Sequence, residues 1–146
     1  MSHTCLLTHV VFSTKERHPF LTDTDLRNAT HAYFGGIVRN IKARAYTIGG
    51  IGDHVHMLIS APPSLAIADA VRVIKTNSSK WLHDQVRGFA WQEKYSAFSV
   101  SRSNVDAVAK FINAQEKHHG RRTFQEELLE LLEEHGVEYD PRYIWV

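Results

Sequence analysis

Two strand-like runs, Ala45–Ile51 and His54–Ala61, lie on either side of a glycine-rich corner, Gly49-Gly50-Ile51-Gly52-Asp53, and no other feature restricts the fold of this chain as much. So short a link leaves an antiparallel hairpin as the pairing, because a parallel return needs a crossover of a dozen residues or more. Pro62-Pro63 then stops the second run. That run opens with His54-Val55-His56. Side chains alternate along a strand, so the two imidazoles share one face while Val55 and Met57 take the other. Two neighbouring imidazoles are a pair of neutral nitrogen ligands for a metal. Taken alone, the tripeptide fits two satisfied, solvent-facing histidines better, and the rest of the chain has to decide.

Around the hairpin the periodicity alternates between strand and helix. Thr4–Thr14 is rich in Val, Leu, Thr and Phe and reads as a first strand, ended by the polar Lys15-Glu16-Arg17-His18-Pro19. Thr22-Asp23-Thr24-Asp25 fits a capping box, and Leu26, Ala29, Tyr33 and Ile37 recur at helical spacing to about Asn40. After the hairpin, Ser64 is a natural N-cap for a helix with Ile67, Ala70, Val71, Ile74 and Trp81 on its inner stripe. Tyr95–Ser101 reads as a fourth strand, and Ser103 or Asn104 opens a third helix running to about His119. Thr123-Phe124-Gln125-Glu126 is a further capping box, starting an acidic helix with Phe124, Leu128, Leu131 and Leu132 inward and Gly136 at its close. The order β-α-β-β-α-β with extra C-terminal helices predicts an α+β, ferredoxin-like sandwich. In that topology the His-Val-His strand belongs to the central pair of the sheet.

The 146 residues suffice for one domain, 1–146, and not for two independent cores. A net charge of +1 hides an asymmetry: residues 1–120 hold 14 Lys and Arg against 9 Asp and Glu, whereas 121–146 hold 3 against 7. A polyanion is therefore expected on the main body and away from the acidic tail. The N-terminal residues lack a signal-peptide pattern, no apolar run is long enough to cross a bilayer, and the single Cys5 excludes an intrachain disulfide. No membrane association is expected, and the cytoplasm is the expected location.

Phe111 and Gln115 are four residues apart and share one face of the third helix, with His118 and His119 one turn further on. Adjacent helical residues point about 100° apart, so His118 and His119 cannot readily serve one ion. Taken with Val11-Phe12-Ser13-Thr14-Lys15, Gly52-Asp53-His54-Val55-His56, Val100-Ser101-Arg102-Ser103-Asn104 and Ile112-Asn113-Ala114-Gln115-Glu116-Lys117-His118-His119, these residues give nearly the whole chain a likeness to a known family. It resembles the small HUH transposases that act on single-stranded DNA, the insertion-sequence-200-like group. The tail, Thr123–Leu128 and Tyr139–Trp145, looks like their repeat-associated relatives.

The resemblance implies that His54, His56 and Gln115 bind a divalent metal, Mg2+ or Mn2+, beside a catalytic tyrosine at position 111. It also implies single-stranded DNA as the partner, folded as a hairpin, and a homodimer, often with one subunit's histidine pair completed by the other's tyrosine helix. In such enzymes the tyrosine oxygen attacks the scissile phosphodiester, leaving a 5′-phosphotyrosine and a free 3′-hydroxyl. Position 111 here is Phe111, which fills the same space without an oxygen. The chain is thus expected to bind DNA without cutting it, whether the tyrosine was lost by engineering or naturally. A substitute nucleophile would have to be Tyr95, Tyr139 or Tyr143. The alternative is a hairpin- or sequence-specific single-strand binder with no catalytic role. Lys15, Arg17, Arg72, Lys75 and Lys80 are candidate phosphate contacts, and Trp91, beside the polar Gln92-Glu93-Lys94, is a candidate for stacking on bases. Asp53 either orients one of the strand histidines or makes the turn.

Overall fold

The computed structural model describes residues 2–120 and 122–145, leaving the His118 side chain aside. Nine strands and α-helices follow one another along it: β1 (Leu7–Ser13), α1 (Thr24–Asn40), β2 (Arg44–Ile51), β3 (His54–Ser60), α2 (Ile67–Gln85), β4 (Ser96–Val100), α3 (Val105–Asn113), α4 (Gln115–His118) and α5 (Phe124–Glu134). The strands make one antiparallel sheet in the order β2-β3-β1-β4, the arrangement expected from the alternation of periodicities. None of the helices is long and apolar enough to cross a membrane among the described residues.

Alternation sorts the two sheet faces. Val10 and Phe12 of β1 join Val55, Met57 and Ile59 of β3 in a core with Phe34, Ile37 and Val38 of α1 and Val71, Ile74 and Leu82 of α2. The opposite face carries Leu7, His9 and Val11 of β1 beside His54, His56 and Leu58 of β3. Helices α3 and α5 close it. Val105 and Ile112 pack on Leu7 and Leu58, while Phe124, Leu128 and Leu132 pack on Val11 and Phe98. The histidine pair therefore lies mid-sheet beneath the C-terminal helices.

Local signals set several boundaries. The capping box expected over Thr22–Asp25 does not form: Asp23 alone caps α1, accepting from the Leu26 amide at 2.9 Å, while the Thr22 hydroxyl turns to the Pro19 carbonyl. Thr123 and Glu126 do form the reciprocal capping box of α5. Gly136, at φ 64°, ends α5, with its amide on the Glu133 carbonyl and that of Val137 on the Leu132 carbonyl. Two further expectations need correction. Ser64 does not cap α2: the Leu65 amide turns back to the Pro62 carbonyl, and the helix starts after Ala66. The third helix does not run unbroken to His119. It breaks at Ala114 (φ −98°, ψ 18°), and its two sides are tied to different elements. Thr47 on β2 donates to Asn113 Oδ1 at 2.7 Å, and Arg27 on α1 pairs with Glu116 at 2.6 Å.

Close approach of α3 to the hairpin depends on Gly49, which pairs with His56 in the ladder. A Cβ there would stand 2.4 Å from the Ile112 carbonyl oxygen. Gly49→Ala should force α3 off β2 and lower stability by about 1–3 kcal/mol, the usual range for overpacking. Urea unfolding measures the cost, and an unchanged midpoint would show that this contact is not tight in solution.

Candidate metal centre

The polar face of β3 is assembled from four elements. His54 and His56 are fully buried, with ring centroids 5.1 Å apart. His54 Nδ1 lies 2.7 Å from Asp53 Oδ1 in the turn before the strand, and its Nε2 lies 2.9 Å from Gln115 Oε1 at the start of α4. His56 Nδ1 is 2.8 Å from Nε2 of His9 on β1, and its Nε2 is 2.7 Å from Glu127 Oε1 on α5. Each histidine thus has its Nδ1 held by an outer partner and its Nε2 turned inward. His119 Nε2 closes the group, 2.9 Å from Gln115 Oε1 and 3.2 Å from Glu127 Oε2. Phe124 stacks on His54 with centroids 4.5 Å apart, sealing the centre from the α5 side.

Glu127 is 1% exposed, and burial alone would push its carboxyl pKa up. Hydrogen bonds from His119 and His56, with the nearby imidazoles, outweigh burial and hold it well below the usual carboxylate range. His119 is raised in turn: burial opposes its charge, but the Glu127 carboxylate favours it more. The two form an ion pair. Burial pushes His56 down to about 4 and His9 down to about 3, the latter helped by His56, so both are neutral near pH 7.

His54, His56 and Glu127 offer donor atoms within 4.8 Å of one another, a group able to hold a metal ion. Gln115 directs its amide nitrogen at the Phe111 carbonyl and Glu127 Oε2, each at 3.3 Å, which leaves Oε1 facing His54. In the tautomer that gives its Nδ1–H to Asp53, a neutral His54 would present a bare Nε2 lone pair to that oxygen. Two acceptors 2.9 Å apart are mismatched as a hydrogen bond, and a cation shared between them removes the mismatch. The donor set of two imidazoles, a carboxylate and an amide oxygen suits a divalent ion.

Of the sequence-derived candidates, His54, His56, Gln115 and Phe111 come together within one chain. The Phe111 ring stands 5.4 Å from the His56 ring and 6.1 Å from His9, edge on to both. Beside it, a cleft of about 650 Å3 runs between β4, α3 and α5, lined by His9, Phe111, Glu127 and His135. Tyr95, Tyr139 and Tyr143 line a different cleft, with Lys94 and Asp140. The His118 side chain lies outside the described residues.

Trp91 is a correction. It is 9% exposed, stands edge on to Phe12 and Phe89 at 4.8 and 4.7 Å, and donates its indole N–H to Ser78 Oγ at 3.0 Å. It is a core residue and cannot stack on bases without unpacking. Lys75 is likewise engaged, its ammonium on the Gln92 and Lys94 carbonyls, and burial lowers its pKa to about 8. Arg72, paired at 3.6 Å with Asp69, and Lys80 are exposed on α2, across the sheet from the histidines. Lys15 is exposed, and Arg17 lies over the Trp145 ring at 5.5 Å.

The sequence reading missed Glu127 and His9. Both carried a signal: Glu127 lies three residues after Phe124 and four before Leu131, on the inner stripe of α5, and His9 alternates with Leu7 and Val11 on the inner side of β1. A polar residue in an apolar phase is a candidate for a buried site.

Against known proteins, the family profile described as "Transposase IS200 like" matches residues 2–115. The chain belongs to the IS200-like transposase family. It is similar to the ISDra2 transposase TnpA of Deinococcus radiodurans, with 26% identity over 115 residues, 73% of this chain and 81% of that protein. Two solved structures share the fold. One, of a Deinococcus radiodurans R1 transposase, has TM-score 0.63 and 22% identity, over 76% of this chain and 91% of that one. The other, a REP-associated tyrosine transposase bound to a REP hairpin, has TM-score 0.63 and 12% identity, over 90% and 86%. Glu127 and α5 lie beyond the segment that the family profile matches.

Buried neutral histidines make stability depend on pH. His9, His56 and His31, the last lowered to about 4 by burial and by Arg27, stay neutral in the fold below pH 6.5, where the unfolded chain protonates them. The unfolded state then binds more protons, so acid favours it. Unfolding near pH 5 should take up on the order of three protons. The urea midpoint of chelator-treated protein should therefore fall steeply from pH 6.5 toward 4; a flat profile would show that these rings are solvated.

Proposed function

We propose that this chain is a single-stranded DNA transposase scaffold of the HUH type, in which His54, His56, Gln115 and Glu127 hold a divalent cation beside position 111. We further propose that with Phe111 it binds DNA without cutting it. The observation that carries this reading is the convergence, within one chain, of two Nε2 atoms and an amide oxygen next to the Phe111 ring. A bound Mg2+ or Mn2+ would polarise the scissile phosphate and offset charge developing on its oxygens.

The chain's own residues divide the remaining work. Asp53 orients the His54 ring, Gln115 and Glu127 complete the donor set, and the cleft beside Phe111 and His9 is the route by which a strand approaches. Because α5 covers the histidines, a phosphate reaches them only when α5 shifts, and its oxygen would then take the place of Glu127 in the donor set. Position 111 is where the attacking oxygen belongs, and phenylalanine supplies none. Lys15, Arg17, Arg72 and Lys80 are the proposed phosphate contacts, giving affinity without sequence reading. A protein of the same fold is bound to a REP hairpin, which supports hairpin DNA as the partner here. Assembly as a homodimer, acting in the cytoplasm, completes the proposal, although a second copy is not required to supply the four donors.

Restoring the oxygen tests the reading. Phe111→Tyr, incubated with Mn2+ and labelled hairpin single strands, should form a protein–DNA adduct that survives denaturing electrophoresis and disappears with chelator, while the parent chain binds and forms none. If the variant binds tightly and leaves DNA intact, the chain is a non-catalytic binder. Cleavage by the parent would instead place the nucleophile elsewhere.

A further inference from the structure

The two strand histidines are oriented by unlike partners, and the second of these has no role in the reading above beyond contact. His54 has a carboxylate on its Nδ1, whereas His56 has an imidazole, His9, at 2.8 Å. His9 comes from β1, where it pairs with Leu58 and Phe98 in the ladders, and it is 3% exposed. Its ring lies 5.1 Å from that of His56 and edge on to both Phe98 and Phe111 at 6.1 Å. Three rings and two strands thus leave it little freedom to turn away.

We infer that His9 is a positioning residue of the metal centre, setting which nitrogen of His56 carries the proton. A neutral imidazole has one N–H and one lone pair. Without a cation, His56 Nε2–H is donated to Glu127, and the proton shared with His9 sits on His9 Nε2. For His56 to offer its Nε2 lone pair to a cation, its proton must lie on Nδ1, and His9 Nε2 must accept it. His9 can do this because it lines the cleft and its own Nδ1 can carry the replacement proton on that side. The exchange leaves the pair with two protons in both states. A carboxylate could only accept, fixing His56 in one tautomer, and an apolar side chain would leave Nδ1–H buried without a partner. This inference rests on the proposed metal centre, and its test separates the two.

His9→Phe removes the acceptor while keeping a ring of similar bulk, and His9→Gln returns an amide that can accept or donate. Mn2+ affinity of the chain alone, by calorimetry, and the 15N shifts of His56 in Mg2+-loaded protein are the readouts, with thermal melting to confirm folding. Expected for His9→Phe is a 10–100-fold weaker Mn2+ affinity, the usual effect of removing an outer partner. His56 should carry its proton on Nδ1 in the loaded parent and lose that single form in the variant, and His9→Gln should recover most of the affinity. A folded His9→Phe protein that binds Mn2+ as tightly as the parent overturns the role of His9 and leaves the centre standing. A parent that binds no divalent ion overturns both. Should His9→Phe fail to fold, the 15N shifts of His9 in the parent decide: transfer of its proton from Nε2 to Nδ1 on Mg2+ loading supports the role, and an unchanged His9 tautomer overturns it.

Discussion

The arrangement of this molecule depends on one carboxylate kept out of water. Glu127 is buried between α5 and the sheet, and an unpaired ionised carboxylate could not remain there. It stays because His119, His56 and Gln115 each turn a polar atom toward it from three different parts of the chain. The same three contacts fix α4 and α5 against β3. Glu127 is thereby both an anchor for α5 and a prospective ligand, and replacing it alters packing and chemistry together.

The fold was largely legible in the sequence because its signals are local. The glycine corner before His54 forces a hairpin, alternation along Leu7–Ser13 and His54–Ser60 sorts side chains by face, and capping residues mark both ends of α5. The strand pair and Gln115 were legible as candidates too, since spacing on a strand or helix needs no tertiary knowledge. What stayed hidden was set by distant partners. Ile112-Asn113-Ala114-Gln115 is compatible with a continuous helix, and the break at Ala114 accompanies ties to Thr47 and Arg27, both remote in sequence. Trp91 follows a glycine link and precedes polar residues, yet an isolated bridge to Thr14 draws it into the core, where Ser78 satisfies its N–H.

Phe111 stands at the boundary between apolar packing and the imidazole cluster. Its ring joins the apolar group of Leu7, Leu58, Val105 and Ile112 on one side and meets the imidazole edges of His9 and His56 on the other. On the proposed reading, an aromatic ring keeps both sets of contacts whether or not it bears a hydroxyl.

Access to the centre is a contest between apolar burial and substrate binding. Phe124, Leu128 and Leu132 hold α5 on Val11 and Phe98, each fully buried side chain contributing about 1.5–3 kcal/mol. The Glu127 contacts add to that hold, so the closed form should dominate while the carboxylate serves as the counter-charge. A phosphate entering beside the imidazoles brings its own negative charge and can replace Glu127 electrostatically, without leaving His119 unpaired. Opening in the absence of an anion would strand a charged imidazole and expose an apolar face at once. A polyanion is therefore both what the site would act on and what makes its opening tolerable, while on the rim of the neighbouring cleft Arg122 pairs with Glu130 and leaves Glu134 to oppose entry by phosphate alone.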